Sequence, residues 1–427
     1  YMGALWFYEL VPSGFTYARV NIAFGGSPVP NSSVTLQVAG ASLSKLVHVG
    51  DDASTLALAF AQKINGGYTA IRAEVQGATL SIIARAAGVE GDALAISCSS
   101  SDSSTTFTAS NTHLSGGAEG TWLTDLSIGL NPASRDWCRS YFQALHGYGI
   151  DCVAAFSMEL GNGDSSISAG IAQRGPGGDP ILLPTPSLQT NFGPASTDFW
   201  KRVYLEVAQL QAESGLIPFL QFGEVQWWYF PSDGLGRQFS GMPFYDDWTK
   251  TQFLVRNGRT LPAIANNYVS LVTYAVEATF LSSILGEFTE AIQSWVKASL
   301  PNCRFEVLYP TDVNRTPFAQ AINFPHTAWN QGSLDVLKCE SFGFTLGRNL
   351  DLAFGTIRFG ETAGFPAARC SHLVGIGDAT SSWKKEVGEA IGRGLESVVL
   401  FALDQYCLVG YPEAVPARRP RAQRKAR

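Results

Sequence analysis

The stretch LIPFLQFGEVQWWYFP, residues 216–231, passes from the interior of a sheet to a chemical site within a few positions. Leu216 to Phe222 is a largely apolar run of strand character, as a strand buried on both faces in a parallel sheet would be. It ends at Gly223-Glu224, and Trp227, Trp228 and Tyr229 follow at once. In a parallel α/β sheet the carboxyl ends of the strands open onto the ligand-binding face. A carboxylate there, next to aromatic rings, suits sugar chemistry, and Glu224 is the first catalytic candidate. An isolated motif of this kind is equally compatible with a solvated loop acid beside core tryptophans, so the reading depends on the rest of the chain.

Outward from this stretch, strands and helices alternate. A helix near Ser134–His146 precedes a strand at Asp151–Phe156, and a helix at Thr197–Ser214 precedes the opening stretch. Helices across 260–298 lead to the strands Phe305–Tyr309 and Val336–Cys339. A helix near 349–360, the strand His372–Ile376, the helix Ser382–Arg393 and the strand Ser397–Leu403 follow. Such alternation predicts a parallel sheet with right-handed crossovers. With two N-terminal runs, Ala4–Leu10 and Phe15–Phe24, the strand-like segments number eight, as a (β/α)8 TIM-type barrel requires. No helix separates the first two runs, so the barrel is expected to be irregular there.

Residues 26–118 differ in composition. They are rich in Ser, Thr, Ala and Gly, and their runs (SVTLQVAG, TAIRAEVQ, ATLSIIAR, ALAISCSS) alternate as half-exposed strands do. One helix is expected after Asp51-Asp52, which supply an N-cap, and it stops at Asn65-Gly66-Gly67. The expected organisation is therefore first barrel strands in 1–25, an inserted α+β module in 26–118, the remaining barrel in 119–413 and a basic tail in 414–427. The order DDASTLALAFAQKIN, then IRAEVQGATLSIIARAAGVEGDALAIS, then LSGG resembles small β-rich modules of phage tail sheath and related tail proteins. That resemblance implies a structural or interaction unit without chemistry.

The residues that close the strand-like runs carry the chemistry: Glu159 in SMEL, Glu224 in FGEV, Asp312 in YPTD, Glu340 in KCES, Asp378 in GIGD and Asp404 in FALD. Six of eight runs end in an acid, and a charged content of 15% would rarely place them so by chance. In a barrel all six converge on one mouth. A ring of acids can bind a cation, or it can bind sugar hydroxyls while two members act as acid and nucleophile. No HxH, HExxH or DxDxDG spacing occurs, and only His372 lies on one of these strands, so neither a metal nor another cofactor is expected. No GxSxG elbow, P-loop or strand-linked GxGxxG is present, which leaves acyl transfer and nucleotide chemistry without support.

FGE followed by two tryptophans, with a later strand-end glutamate, resembles the (β/α)8 retaining glycoside hydrolases. The resemblance implies an acid/base at barrel strand four and a nucleophile near the end of strand seven. Glu224 falls on run four. Glu340, emerging from a buried strand, is the preferred nucleophile, but it falls on run six, and Asp378 falls on run seven. Gly223 also stands where that group has an asparagine. A retaining pair should lie about 5–5.5 Å apart and an inverting pair about 6.5–9.5 Å. Further cleft residues are expected to be Glu159, Asn162, Trp227, Trp228, Tyr309, Asp312, Asn314, Asp378 and Asp404, with Tyr245 on a flexible covering loop at 241–248. Trp137, Trp200, Trp295 and Trp383 are expected in the core.

The other bounds are coarse. The net charge is −6, and six basic residues from Arg418 to Arg427 leave about −12 on the rest, which argues against a nucleic-acid-binding face on the folded body. Seven scattered cysteines support neither a zinc site nor a disulfide framework. Tyr268–Leu285 is the longest apolar stretch, but Glu277 in its middle predicts a buried helix and no membrane span. The expected partner is a carbohydrate, and the rival is a non-catalytic, glycan-binding, tail-like protein. Carboxylate geometry separates the two.

Overall fold

The computed structural model describes residues 8–68, 70–183, 187–229, 241–376 and 382–402. The chain divides into two units, Leu10–Leu123 and the remainder.

In the larger unit six strands form one parallel sheet in chain order: Ala154–Ser157, Phe219–Gly223, Arg304–Pro310, Val336–Glu340, Cys370–Gly375 and Ser397–Phe401. They correspond to six of the eight expected runs. Helices Pro194–Glu213, Ala275–Ser299, Pro317–Asn323, Leu350–Thr362 and Trp383–Gly392 supply the successive crossovers. Strand alternation separates two layers. Phe222 stacks on Tyr204 of the first crossover helix (5.1 Å) and on Phe305 of the next strand (5.3 Å), in a buried apolar layer between sheet and helices. Gln221, Glu306 and Lys338 point the other way, into the barrel wall, and all three are buried. Local signals set the helix starts. Pro132–Gly147 begins with proline, and the Asn131 side chain accepts from Ser134 N. Glu277 is buried in helix Ala275–Ser299 and paired with Arg259 at 2.6 Å, so the longest apolar stretch ends in a core helix. Among the described residues no helix is long and apolar enough to cross a membrane.

The run Phe15–Phe24, expected as a barrel strand, belongs instead to the smaller unit. Its strand, Arg19–Gly26, buries Val20, Ile22 and Phe24 while Arg19, Asn21 and Ala23 are exposed. A strand wet on one face suits an antiparallel sheet covered on one side, whereas a barrel strand is covered on both. Of Ala4–Leu10 only the end is described; Tyr8 bridges Leu130. The loop expected at 241–248 runs into a helix, Asp247–Asn257, whose N-cap Asp246 accepts from Thr249 N. Trp200 and Trp383 are core as expected, but Trp137 and Trp295 are 53% and 50% exposed.

The smaller unit has a four-stranded antiparallel sheet ordered Ile71–Gln76, Thr79–Ala84, Arg19–Gly26, Thr105–Ala109. A three-stranded sheet is ordered Ala41–Leu46, Ser33–Val38, Ile96–Ser100. Helix Ala53–Asn65 starts with a capping box in which Asp52 and Thr55 exchange hydrogen bonds, and it buries Leu56, Phe60 and Ile64. Val20, Ile22, Leu36, Leu80 and Ile82 complete this separate core.

Candidate active site

Because the strands are parallel, their carboxyl ends share one rim. Glu159 lies two residues beyond Ser157, Glu224 directly follows Gly223, Asp312 lies two beyond Pro310, and Glu340 ends its strand. The register pairs Ser157 with Gly223, and Pro310 with Glu340, so the four acids sit at or just beyond the carboxyl ends of four neighbouring strands. Gly223 is required by close approach: a Cβ there would lie 2.5 Å from the Phe156 carbonyl oxygen. Glu224 then takes φ 53°, a left-handed conformation uncommon for a residue with a side chain. The chain turns sharply at the strand end with the carboxylate at its apex.

Burial raises Glu224, Asp312 and Glu340, and crowding of like charges adds to the rise of Glu224 and Glu340. The Glu224 carboxyl is pushed up to about 7, first by burial and then by Glu159 and Asp312. Glu340 is raised well above its ordinary value by burial, then by Glu224 and Asp312, with Lys338 opposing. Asp312 is raised by burial against the opposing hydrogen bond from Gly343 N at 2.5 Å. Glu159 accepts from Ser187 Oγ at 3.1 Å. Among the described residues no hydrogen-bond donor to the Glu340 carboxylate offsets its rise. Glu224 raises Glu340, so the two share protons and titrate as a pair.

Beneath the rim lies a charge layer. Lys338, two residues before Glu340 and on the same inward face, is fully buried, ion-paired with Glu306 and bonded to Gln221 Oε1 at 2.6 Å. Burial lowers the Lys338 ammonium to about 8, although Glu306 and Glu340 favour its charged form. Sequence reasoning missed this group. Its signal was a lysine inside VLKCE and a glutamate inside RFEVLYP, opposite charges in two apolar strands.

The flanking candidates divide. Trp227 is 1% exposed; its Nε1 donates to Leu281 O (3.1 Å), and its ring meets Phe192 and Phe244 edge-on. It is a core residue, because the chain turns back inward after Glu224. Trp228 and Tyr229 are half-buried. Tyr245 is buried, donates to Pro262 O (2.8 Å) and accepts from Ile264 N (2.6 Å). Met242, Phe244 and Asp246 are buried beside it, so this stretch is anchored and does not form the expected covering loop. Tyr309 is 2% exposed and stacks on Phe359, because its position alternates to the helix-facing side of the strand. Asn162 is exposed at φ 54°, with its carbonyl accepting from Thr124 N, which is the role of a turn residue. Asn314 is 2% exposed and spent on internal hydrogen bonds. Asp378 and Asp404 lie outside the described residues. Among the described residues no group of three His, Cys, Asp or Glu is placed to hold a metal ion.

Among solved structures, the chain is similar to the PgaB (BpsB) glycoside hydrolase domain from Bordetella bronchiseptica. The identity is 12% and the TM-score 0.42, over 60% of this chain and 71% of that one. It is also similar to a cold-adapted β-galactosidase from Rahnella sp. R3, with 14% identity and TM-score 0.43 over 62% of this chain and 42% of that one. A β-galactosidase from the Antarctic haloarchaeon Halorubrum lacusprofundi has 12% identity and TM-score 0.44, over 62% of this chain and 45% of that one. The matched region thus spans less than half of either β-galactosidase, and no activity is inferred from likeness of this degree. No curated protein sequence matches. Residues 112–411 match the family described as non-contractile tail sheath protein TIM barrel, so the match falls on the barrel and not on the module that resembles tail proteins by sequence. Matched over most of its length, the chain belongs to the non-contractile tail sheath protein TIM-barrel family.

Proposed function

We propose that the rim hydrolyses glycosidic bonds with Glu224 as general acid/base and Glu340 as nucleophile. One observation carries this reading: four acids at or just beyond the carboxyl ends of four adjacent parallel strands, with Glu224 poised at about 7 by burial and by its acidic neighbours. A group titrating there holds a proton at neutral pH and can also release it. Glu340 has, besides its acidic neighbours, the Lys338 ammonium on its own strand, which favours its anion. In the first step the Glu340 carboxylate attacks the anomeric carbon while Glu224 gives its proton to the departing oxygen. In the second, Glu224 takes a proton from water, the water oxygen attacks the same carbon, and Glu340 is released as carboxylate. Asp312 and Glu159 accept hydrogen bonds from sugar hydroxyls, and Trp228 supplies an aromatic face.

The second reading is a glycan-binding tail component without turnover, favoured by the description of the matching family as a sheath protein. A panel of aryl glycosides differing in sugar, with released phenol as readout, separates the two. Turnover lost in Glu340→Gln supports hydrolysis. Glycan binding by calorimetry, without turnover on any member, supports the second reading.

A further inference from the structure

Next to Glu224 runs a chain of buried carboxamides. Asn314 Nδ2 donates to Gln226 Oε1 (2.8 Å) and to Pro310 O (2.9 Å). Asn323 Nδ2 donates to Asn314 Oδ1 (2.8 Å), and Asn323 Oδ1 accepts from Trp227 N (2.7 Å). Gln173 Nε2 donates to the Gln226 carbonyl (3.1 Å). All four amide side chains are buried. They therefore tie the segment just after Glu224 to the loop that carries Asp312, spanning two neighbouring strand ends. Gln226, Asn314 and Asn323 also border a cavity of about 20 Å³, which is room for one water-sized group and far too small for a sugar ring. Binding of substrate does not explain them.

A backbone in the left-handed region persists when its surroundings over-determine it. The left-handed Glu224 lies two residues before Gln226. We propose that Asn314 is a positioning residue which, through Gln226, clamps the Glu224 turn against the Asp312 loop and so holds the rim carboxylates together. Without the clamp the turn relaxes, Glu224 moves toward water, and its separation from Asp312, Glu159 and Glu340 grows; Lys338 and Glu306 lie in the layer below. Burial and like-charge crowding both fall, so its titration midpoint must fall with them. The proposal rests on the rim reading of Glu224 given above but needs no turnover to be tested.

The experiment follows the Glu224 carboxyl by carbon-13 NMR in the full chain labelled at glutamate, its signal assigned by disappearance in Glu224→Gln. Gln226→Met removes only the acceptor that Asn314 uses, leaves the Gln226 carbonyl to Gln173, and is the gentler variant. Asn314→Leu removes the whole node. Gln211→Met is the control, since Gln211 is an equally buried amide that braces the far end of the same strand through Phe219 N (3.0 Å). The midpoint is expected near 7 in the parent. It should drop by about one unit or more in Gln226→Met and Asn314→Leu, drop no further in the double variant, and stay in Gln211→Met. A parent midpoint near 4.5, no drop in folded Gln226→Met, or an equal drop in Gln211→Met would overturn the proposal. Absence of turnover on glycosides removes the hydrolase reading and leaves this result standing.

Discussion

Lys338 and Glu306, on adjacent parallel strands, form an ion pair inside the barrel wall with neither side chain exposed to solvent. A buried pair adds little net stability, but removing one partner strands a charge in a low-dielectric interior. Lys338→Met should therefore cost about 3–5 kcal/mol in chemical denaturation, and Lys338→Met with Glu306→Leu should recover most of that loss. Equal losses in the single and double variants would show that packing, and not charge, holds the site.

Glu224 gives a pH-dependent stability with a definite sign. Its folded-state value, about 7, lies above the ordinary 4.5. Below 4.5 the carboxyl is protonated in both states and costs nothing; as pH rises from 4.5 through 7 the unfolded chain ionises more readily, and the fold loses stability. Glu224→Gln should match the parent at pH 4 and exceed it at pH 8 by on the order of 2 kcal/mol, allowing for screening of a half-buried group. A constant difference across that window would contradict the shift.

Chemistry separates the two glutamates. Glu340→Gln should abolish turnover of aryl glycosides, a fall of at least about 10⁴-fold, in line with removal of a nucleophile. Glu224→Gln should spare substrates whose leaving group departs without protonation, and added azide should raise its rate by replacing water in the second step. Should Glu340→Gln retain activity while Asp378→Asn is inactive, the nucleophile belongs to the next strand.

The two neighbouring tryptophans should behave differently. Trp227→Ala removes a buried ring hydrogen-bonded to Leu281 and should cost about 3–5 kcal/mol. Trp228→Ala should lower the unfolding midpoint less than Trp227→Ala does and weaken glycan affinity by about 1 kcal/mol. Thermal melts and titration calorimetry on the pair decide it.

The unit Leu10–Leu123 has a core of its own, built from Val20, Ile22, Leu36, Phe60 and Ile82 among others. Expressed alone it should give a cooperative melt with mixed α/β circular dichroism. A broad, non-cooperative transition would mean that it depends on the barrel.

What the sequence by itself determined was whatever rests on local pattern. Largely apolar runs marked the six parallel strands, since a strand covered on both faces has no solvent-facing side. Asp52 before ASTLALAF marked a helix start, since a side-chain acceptor is needed there for an orphan N–H. The acids at strand ends were legible because parallel strands put all their carboxyl ends on one rim. Only the tertiary structure decided which neighbours of those acids face the rim. Trp227, Tyr309 and Asn314 all sit within three residues of a strand-end acid, yet alternation and the inward turn after Glu224 send them into the core. The fate of Phe15–Phe24 turned on its one-sided alternation, a local feature, but the partner strands Thr79–Ala84 and Thr105–Ala109 lie about 60 and 85 residues further on. The Lys338 pair and the carboxamide chain join residues 32 and 88 positions apart. A buried polar group must find its partner wherever the fold brings one, and sequence spacing does not encode that.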